Sequence, residues 1–383
     1  MNFKGENLNK LIRSSKPIFP KEDIDRLLPE IREVLEQGQF RFGKKVSIFE
    51  KMVAQYVGVK NAVAFDSDSS AYETILRYFG VNGREVVVCT NSFISVPNSV
   101  MFAGGKVVFA DIREGTLSMD PESLLQNISP NTCGVIVTHI AGFPNPDLKR
   151  IMEICKEHKL FLIEDATHAI GATVDGQQAG SFGDAAVFAF TPTKVVTTGE
   201  GGMLVTDNAD LSEFAKRYSF YGSGPGKTNF ADVGRHMVLP EISAILGIYQ
   251  LQRLTEFIDR RNEIAAVYNE VLDKIDTMCA VKSPAGSRSA YYKYPLILDE
   301  KINKAEFIKL LFQDFGIETG NVFYPPCHLQ IVYKKLGFAS YGSLSTAEQV
   351  LSRTITLPMH VGLTDEDIDY VLDKVAFLAQ KLS

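Results

Sequence analysis

The sequence predicts an α/β protein, with a large domain on a mainly parallel sheet and a smaller C-terminal α+β domain. Three observations carry this expectation. Apolar runs of strand length alternate with helical stretches over residues 61–207, and several of the runs are apolar throughout. Such runs mark strands buried on both faces, as in a parallel sheet covered by helices. A long helical stretch, residues 241–276, then leads into a tail that reads strand, helix, terminal helix. The chain has 383 residues, more than one core usually needs. The expected division is residues 1–250 for the large domain and 251–383 for the small one.

Taken in order, residues 20–38 (PKEDIDRLLPEIREVLEQG) have the spacing of an amphipathic helix, opened by Asp23 or a neighbour and followed by Gly38. Residues 46–57 repeat the pattern and end at Gly58. The strand candidates are NAVAF (61–65), EVVVC (85–89), KVVFAD (106–111), GVIVTH (134–139), LFLIED (160–165), AAVFAF (185–190) and GGMLVTD (201–207). SSAYETILRYFG and DLKRIMEICKEHK lie between them and suit βαβ crossovers. In the tail AYYKYPLIL reads as a strand, and KAEFIKLLFQDFG and TDEDIDYVLDKVAFLAQKL as helices. GSGPG (222–226) reads as a flexible loop.

Composition excludes several classes. A net charge of −6 argues against a nucleic-acid binder or a protein drawn to anionic membranes. The opening MNFKGENLNKLIRSS has no apolar signal core and no run is long enough to span a bilayer, so a cytoplasmic location is expected. The five cysteines are scattered and never in a CxxC, which reads as reduced thiols. The histidines have no metal-binding spacing, so no metal is expected.

Chemistry concentrates in two places. Asp165 ends LFLIED, and ligands of open α/β sheets bind at the carboxyl ends of strands. A strand-end aspartate also serves as an N-cap, and alone the two readings weigh equally. Lys194 follows AAVFAF, where burial would lower its pKa and free a nucleophilic amine. A lysine snorkelling from a loop is the plainer alternative. The combination favours pyridoxal phosphate, which needs a lysine, a carboxylate for the pyridine nitrogen, phosphate donors at a helix start and a ring to stack on. Ser67–Ser70 open a helix and offer hydroxyls and amides, although Ser and Asp there also suit a plain cap. Phe93 is the candidate ring, or a core phenylalanine; His168 is the candidate contact to the ring oxygen, or a structural histidine. YGSGPGKT is no phosphate loop, since Tyr221 stands where glycine is required and a helix, not a strand, precedes it. No GxGxxG follows the first strand.

The run IEDATHAIGATVDGQQAGSFGDAAVFAFTPTKVVTTGEGGMLVT (163–206) resembles the core of the DegT/DnrJ/EryC1/StrS family of pyridoxal-phosphate aminotransferases. FGKKVSIFEKMVAQYVGVKNAVA, HIAGFPNPD, PEISAILGIYQL, YYKYPLIL, FYPPCHLQ and LPMHVGLTDEDI extend the likeness over nearly the whole chain. The resemblance implies an aspartate-aminotransferase-like fold and a homodimer with its active sites at the subunit interface. It implies Lys194 as the Schiff-base lysine, Asp165 as partner of the pyridine nitrogen, His168 at the ring oxygen and Phe93 stacked on the ring. Ser69 and Ser70 would hold the phosphate, with His236 reaching it from the neighbouring subunit. Arg41 and His328 are substrate candidates, although for Arg41 a surface residue is the somewhat favoured reading. The implied substrates are a keto sugar, nucleotide-linked in most of the family, and an amino-acid donor, glutamate or glutamine.

Three departures touch the phosphate pocket. Asp68 stands where the family has glycine, Ala189 where it commonly has serine, and His236-Met237-Val238-Leu239 where it has Asn-x-Arg-Met. Thr191, Thr193, Arg235 or His236 are candidates to replace the lost contacts. A small phosphorylated or cyclitol ketone remains an alternative acceptor, and a non-catalytic binding or regulatory homologue an alternative role. A keto-sugar dehydratase ranks low, because relatives that dehydrate carry histidine in place of the lysine.

Overall fold

The computed structural model describes residues 11–223, 228–336 and 340–382. Its largest sheet contains β1 (Asn61–Phe65), β2 (Glu85–Cys89), β3 (Lys106–Ala110), β4 (Thr132–Thr138) and β5 (Phe161–Asp165). Two short strands, β6 (Thr173–Val174) and β7 (Gln177–Gln178), form a side hairpin before β8 (Ala185–Ala189) and β9 (Gly202–Thr206) complete the large sheet. Its order is β1-β9-β8-β5-β4-β2-β3. The pairs from β3 through β8 are parallel, while β9 runs antiparallel to both neighbours. The loop of residues 190–201 joins β8 to β9 without a crossover helix, and the two strands pair antiparallel. β2, β8 and β9 are buried along their whole length, as their unbroken apolar runs require.

Helices α1 (Lys21–Gln37) and α2 (Lys44–Val57) precede the sheet; α3 (Asp68–Tyr78), α4 (Ser95–Phe102), α5 (Pro121–Gln126) and α6 (Leu148–His158) connect its strands, and α7 (Ala209–Tyr218) follows the last of them. α1 ends on left-handed Gly38 as expected, but Asp23 does not open it. Pro20 takes the cap position, and Asp23 is buried against the guanidinium of Arg253 at 2.9 Å. The expected helix over 241–276 is two: α8 (Glu241–Gln252), buried on most sides against α2 and α1, and α9 (Leu254–Leu272), packed on the terminal helix. Because the halves pack into different layers, the chain bends at Arg253.

The tail forms a second sheet from β10 (Met278–Ala280), β12 (Tyr294–Leu298) and β13 (Thr354–Leu357), while β11 (Ser287–Arg288) pairs with β6. Around it lie α10 (Lys304–Phe315), α12 (Ser345–Ser352) and α13 (Asp365–Leu382), while α11 (Ile331–Leu336) packs through Tyr333 on the large-sheet cluster. One apolar cluster joins Val87, Val135 and Leu162 of the large sheet to Leu296 and Ile355 of the small one. Among the described residues no helix is long and apolar enough to cross a membrane, and all five cysteines are unpaired. Residues 224–227 of the GSGPGKT segment lie outside the described residues.

Candidate active site

Side chains alternate along a strand, so the last two residues of β5 face opposite ways. Glu164 is fully buried and receives His139 Nε2 at 2.8 Å and the amides of Gly180, Phe182 and Gly183. Burial alone would raise its pKa, but His139 and the amides outweigh that and lower it. It clamps the turn after β7 and has no free lone pair to offer a ligand. Asp165 emerges at the carboxyl end of the sheet. Thr138 Oγ1 donates to one oxygen at 3.0 Å; the Thr167 hydroxyl and amide donate to the other at 2.7 and 3.2 Å. The predicted N-cap is thus a turn cap on Thr167, and it leaves the carboxylate oriented.

Lys194 sits in the loop between β8 and β9. Phe190 N–H donates to Gly201 O at 2.9 Å, Thr198 N–H to Phe190 O at 3.0 Å, and Thr197 Oγ1 to Phe190 O at 3.1 Å. The threonines around the lysine therefore tie the loop shut. Burial pushes the Lys194 ammonium down to about 8, against the pull of Asp68 and, less strongly, Asp165. That ordering matters: of the two carboxylates acting on the amine, Asp68 has the larger effect.

Asp68 does not point away from the pocket. It is the first residue of α3, and its carboxylate accepts Ser95 Oγ at 3.0 Å and the Ser69 amide. Burial raises its pKa although Lys194 and these donors oppose the shift. Ser67 caps the helix by accepting the Ser70 amide at 3.2 Å. Ser70 Oγ is bound to Asp66 at 2.6 Å, which leaves the Ser69 hydroxyl as the more available of the two predicted phosphate ligands. Gly202 lets β9 approach this turn: a Cβ there would lie 2.4 Å from the Ser67 carbonyl. Beneath it the Tyr72 hydroxyl is fully buried, near Asp165 but outside hydrogen-bond geometry.

An aromatic band lines the other side. Lys194 Nζ lies 4.8 Å from the Tyr292 ring centroid, and the Tyr292 hydroxyl meets Thr193 Oγ1 at 3.0 Å. Tyr292 lies 4.3 Å from His168, His168 stacks on Phe323 at 5.4 Å, and Phe323 lies 5.5 Å from Phe93. Phe93 is 53% exposed, so it is not a core phenylalanine. His168 is buried, and burial together with Lys194 and Lys293 holds its pKa well below the usual value. Its Nδ1 accepts the Ala141 amide at 3.2 Å, so the neutral ring carries its proton on Nε2.

The structure thus brings together Lys194, Asp165, His168 and Asp68; Phe93 joins them through Phe323, and Ser69 and Ser70 through the start of α3. Arg41 and His236 form a separate cluster. Arg41 Nη1 meets His236 Nε2 at 3.0 Å over the rings of Phe42 and Phe220. Arg235 is held by Glu73 at 2.8 Å and Thr193 by Tyr292, so neither reaches the start of α3 within this chain. His328 has both nitrogens engaged, with Thr90 at 2.6 Å and Glu348 at 3.0 Å. Tyr292, Phe323, Thr138 and Tyr72 escaped the sequence reading. AYYKYPLIL was readable as a strand, but nothing local marks Tyr292 as facing a loop a hundred residues earlier.

Comparison with known proteins identifies the family and the fold. The profile of the DegT/DnrJ/EryC1/StrS aminotransferase family matches residues 21–376. The chain is 34% identical to the spore coat polysaccharide biosynthesis protein SpsC of Bacillus subtilis (strain 168), covering 96% of this chain and 97% of that protein. It is 33% identical to GDP-perosamine synthase of Caulobacter vibrioides, over 86% and 89%. The aminotransferase TlmJ of Streptoalloteichus hindustanus superposes with a TM-score of 0.90 at 30% identity, over 98% and 100% of the chains. The PLP-form of the sugar aminotransferase homologue Spr1654 from Streptococcus pneumoniae superposes with a TM-score of 0.89 at 25% identity, over 98% and 100%. With the fold, a half-buried lysine in the field of two carboxylates and a family match over nearly its whole length, the chain belongs to the DegT/DnrJ/EryC1/StrS aminotransferase family.

Proposed function

We propose that this aminotransferase uses pyridoxal 5′-phosphate held by Lys194 to move an amino group from an amino acid to a nucleotide-linked keto sugar. The observation that carries the cofactor assignment is the donor set around one amine. Lys194, lowered to about 8 by burial, lies in the field of Asp165 at the end of β5, beside a neutral His168 and across from the start of α3. These residues fit the cofactor's aldehyde, ring nitrogen, ring oxygen and phosphate in turn. Asp68 is the one misfit, a carboxylate beside the expected phosphate.

When bound, the cofactor supplies a carbonyl that takes up amino nitrogen and a ring that accepts the electron pair left when Cα loses its proton. The rest falls to the chain. Asp165, locked by Thr138 and Thr167, holds a proton on the ring nitrogen. His168 Nε2–H donates to the ring oxygen. Lys194 would be the general base that carries the Cα proton, a task suited to an amine with a pKa near working pH. Phe93 and Phe323 shield the ring from water. The relative GDP-perosamine synthase, named for a nucleotide-linked amino sugar, supports the sugar acceptor.

We read the enzyme as a homodimer. Phe40, Phe42, Tyr221, Phe230 and Val233 are exposed beside Arg41 and His236, and Val233 is 97% exposed, an apolar patch suited to a second copy. This is where His236 would reach the neighbouring phosphate. The test is Lys194→Ala, which should abolish turnover and the visible absorbance of the lysine-linked cofactor. Full activity in that variant would refute the assignment.

A further inference from the structure

Lys293 is a second cation in the same region, and the reading above gives it no task. Its ammonium lies 5.7 Å from the Tyr292 centroid, on the ring that also meets Lys194, and 5.6 Å from Phe323. Burial lowers its pKa and the charge of Lys194 adds to the effect. One donor goes to Asn321 O at 2.7 Å; no carboxylate pairs with it among the described residues. An ammonium carries three donors, so two remain. A half-buried cation without a counter-charge is costly unless an anion completes it.

Lys293 lines a cavity of about 160 Å³ together with Ser14, Ser15, Thr193, Tyr292 and Thr356. The walls are hydroxyl-rich. Glu318 accepts the Ser14 amide at 3.2 Å but does not line the cavity. The space suits a few water-sized groups and is too small for a nucleotide diphosphate. Thr193 places it immediately beside the lysine loop. We infer that this cavity receives the distal carboxylate of the amino donor, with Lys293 as its counter-ion, so that the enzyme prefers a dicarboxylic amino acid to its amide. An α-carboxylate in this cavity would make removal of Lys293 weaken glutamate and glutamine alike, whereas a distal carboxylate makes it weaken glutamate alone.

The inference rests on the transaminase reading, and the experiment separates the two. Loss of the lysine-linked absorbance is followed when holoenzyme meets glutamate, glutamine or alanine without acceptor. Wild type should prefer glutamate. Lys293→Met should lower the glutamate-over-glutamine preference by roughly ten- to a hundredfold, the usual worth of a charged hydrogen bond, with the loss in KM. Lys293→Arg should keep most of the preference. Equal losses for glutamate and glutamine overturn the inference and leave the transaminase reading intact. So does competition by inorganic phosphate but not by a simple dicarboxylate, which would assign the cavity to a phosphorylated acceptor. A wild-type band that responds to no amino acid overturns both.

Discussion

Asp68→Asn should tighten binding of pyridoxal phosphate. The carboxylate holds the Ser69 amide and Ser95 Oγ at the start of α3, where the phosphate is expected. Two acceptors on neighbouring amides of a helix start lie about 5 Å apart. At an effective dielectric constant of about 20, unit charges at that distance repel by about 3 kcal/mol. The raised pKa of Asp68 and the nearby Lys194 ammonium offset part of this. A net gain of about 2 kcal/mol remains, roughly thirtyfold in Kd. The assay titrates apoenzyme with pyridoxal phosphate and, separately, with phosphate-free pyridoxal, reading the lysine-linked absorbance. Asp68 also supports the charge on Lys194, so its removal changes amine reactivity toward both ligands equally. Only the ratio of the two affinities reports on the phosphate. A ratio that stays put or falls in the variant would show that the carboxylate moves aside without cost.

Two further outcomes follow from the same geometry. Capture of pyridoxal by apoenzyme should rise roughly tenfold per pH unit while Lys194 is mostly protonated and level off above about 8, where the amine is free; a rise continuing to the ordinary lysine value would refute the burial argument. Gly202→Ala should destabilise the protein by about 2 kcal/mol, because the new Cβ meets Ser67 backbone at 2.4 Å rather than a side chain that can yield. Urea unfolding checks this, and an unchanged midpoint would sink it.

The strands of the large sheet were legible because unbroken apolar runs such as EVVVC and AAVFAF have one reading once helices alternate with them. The positions of Asp165 and Lys194 were legible for the same reason, since one ends such a run and the other lies in the loop that follows one. Helix ends marked by glycine, as at Gly38 and Gly58, were also local. The cap expected from Asp23 failed because its partner, Arg253, lies far along the chain.

The sequence by itself determined the alternation of strands and helices, the strand-end position of the acid and the loop position of the amine. Periodicity and strand termini are properties of neighbouring residues, so a linear pattern carries them. Only the tertiary structure decided that Asp68 turns toward Lys194, that Arg41 pairs with His236, and that Tyr292 and Lys293 come from the second half of the chain to the lysine loop. Those outcomes depend on which distant side chain shares a desolvated space, and burial and charge act through space rather than along the chain.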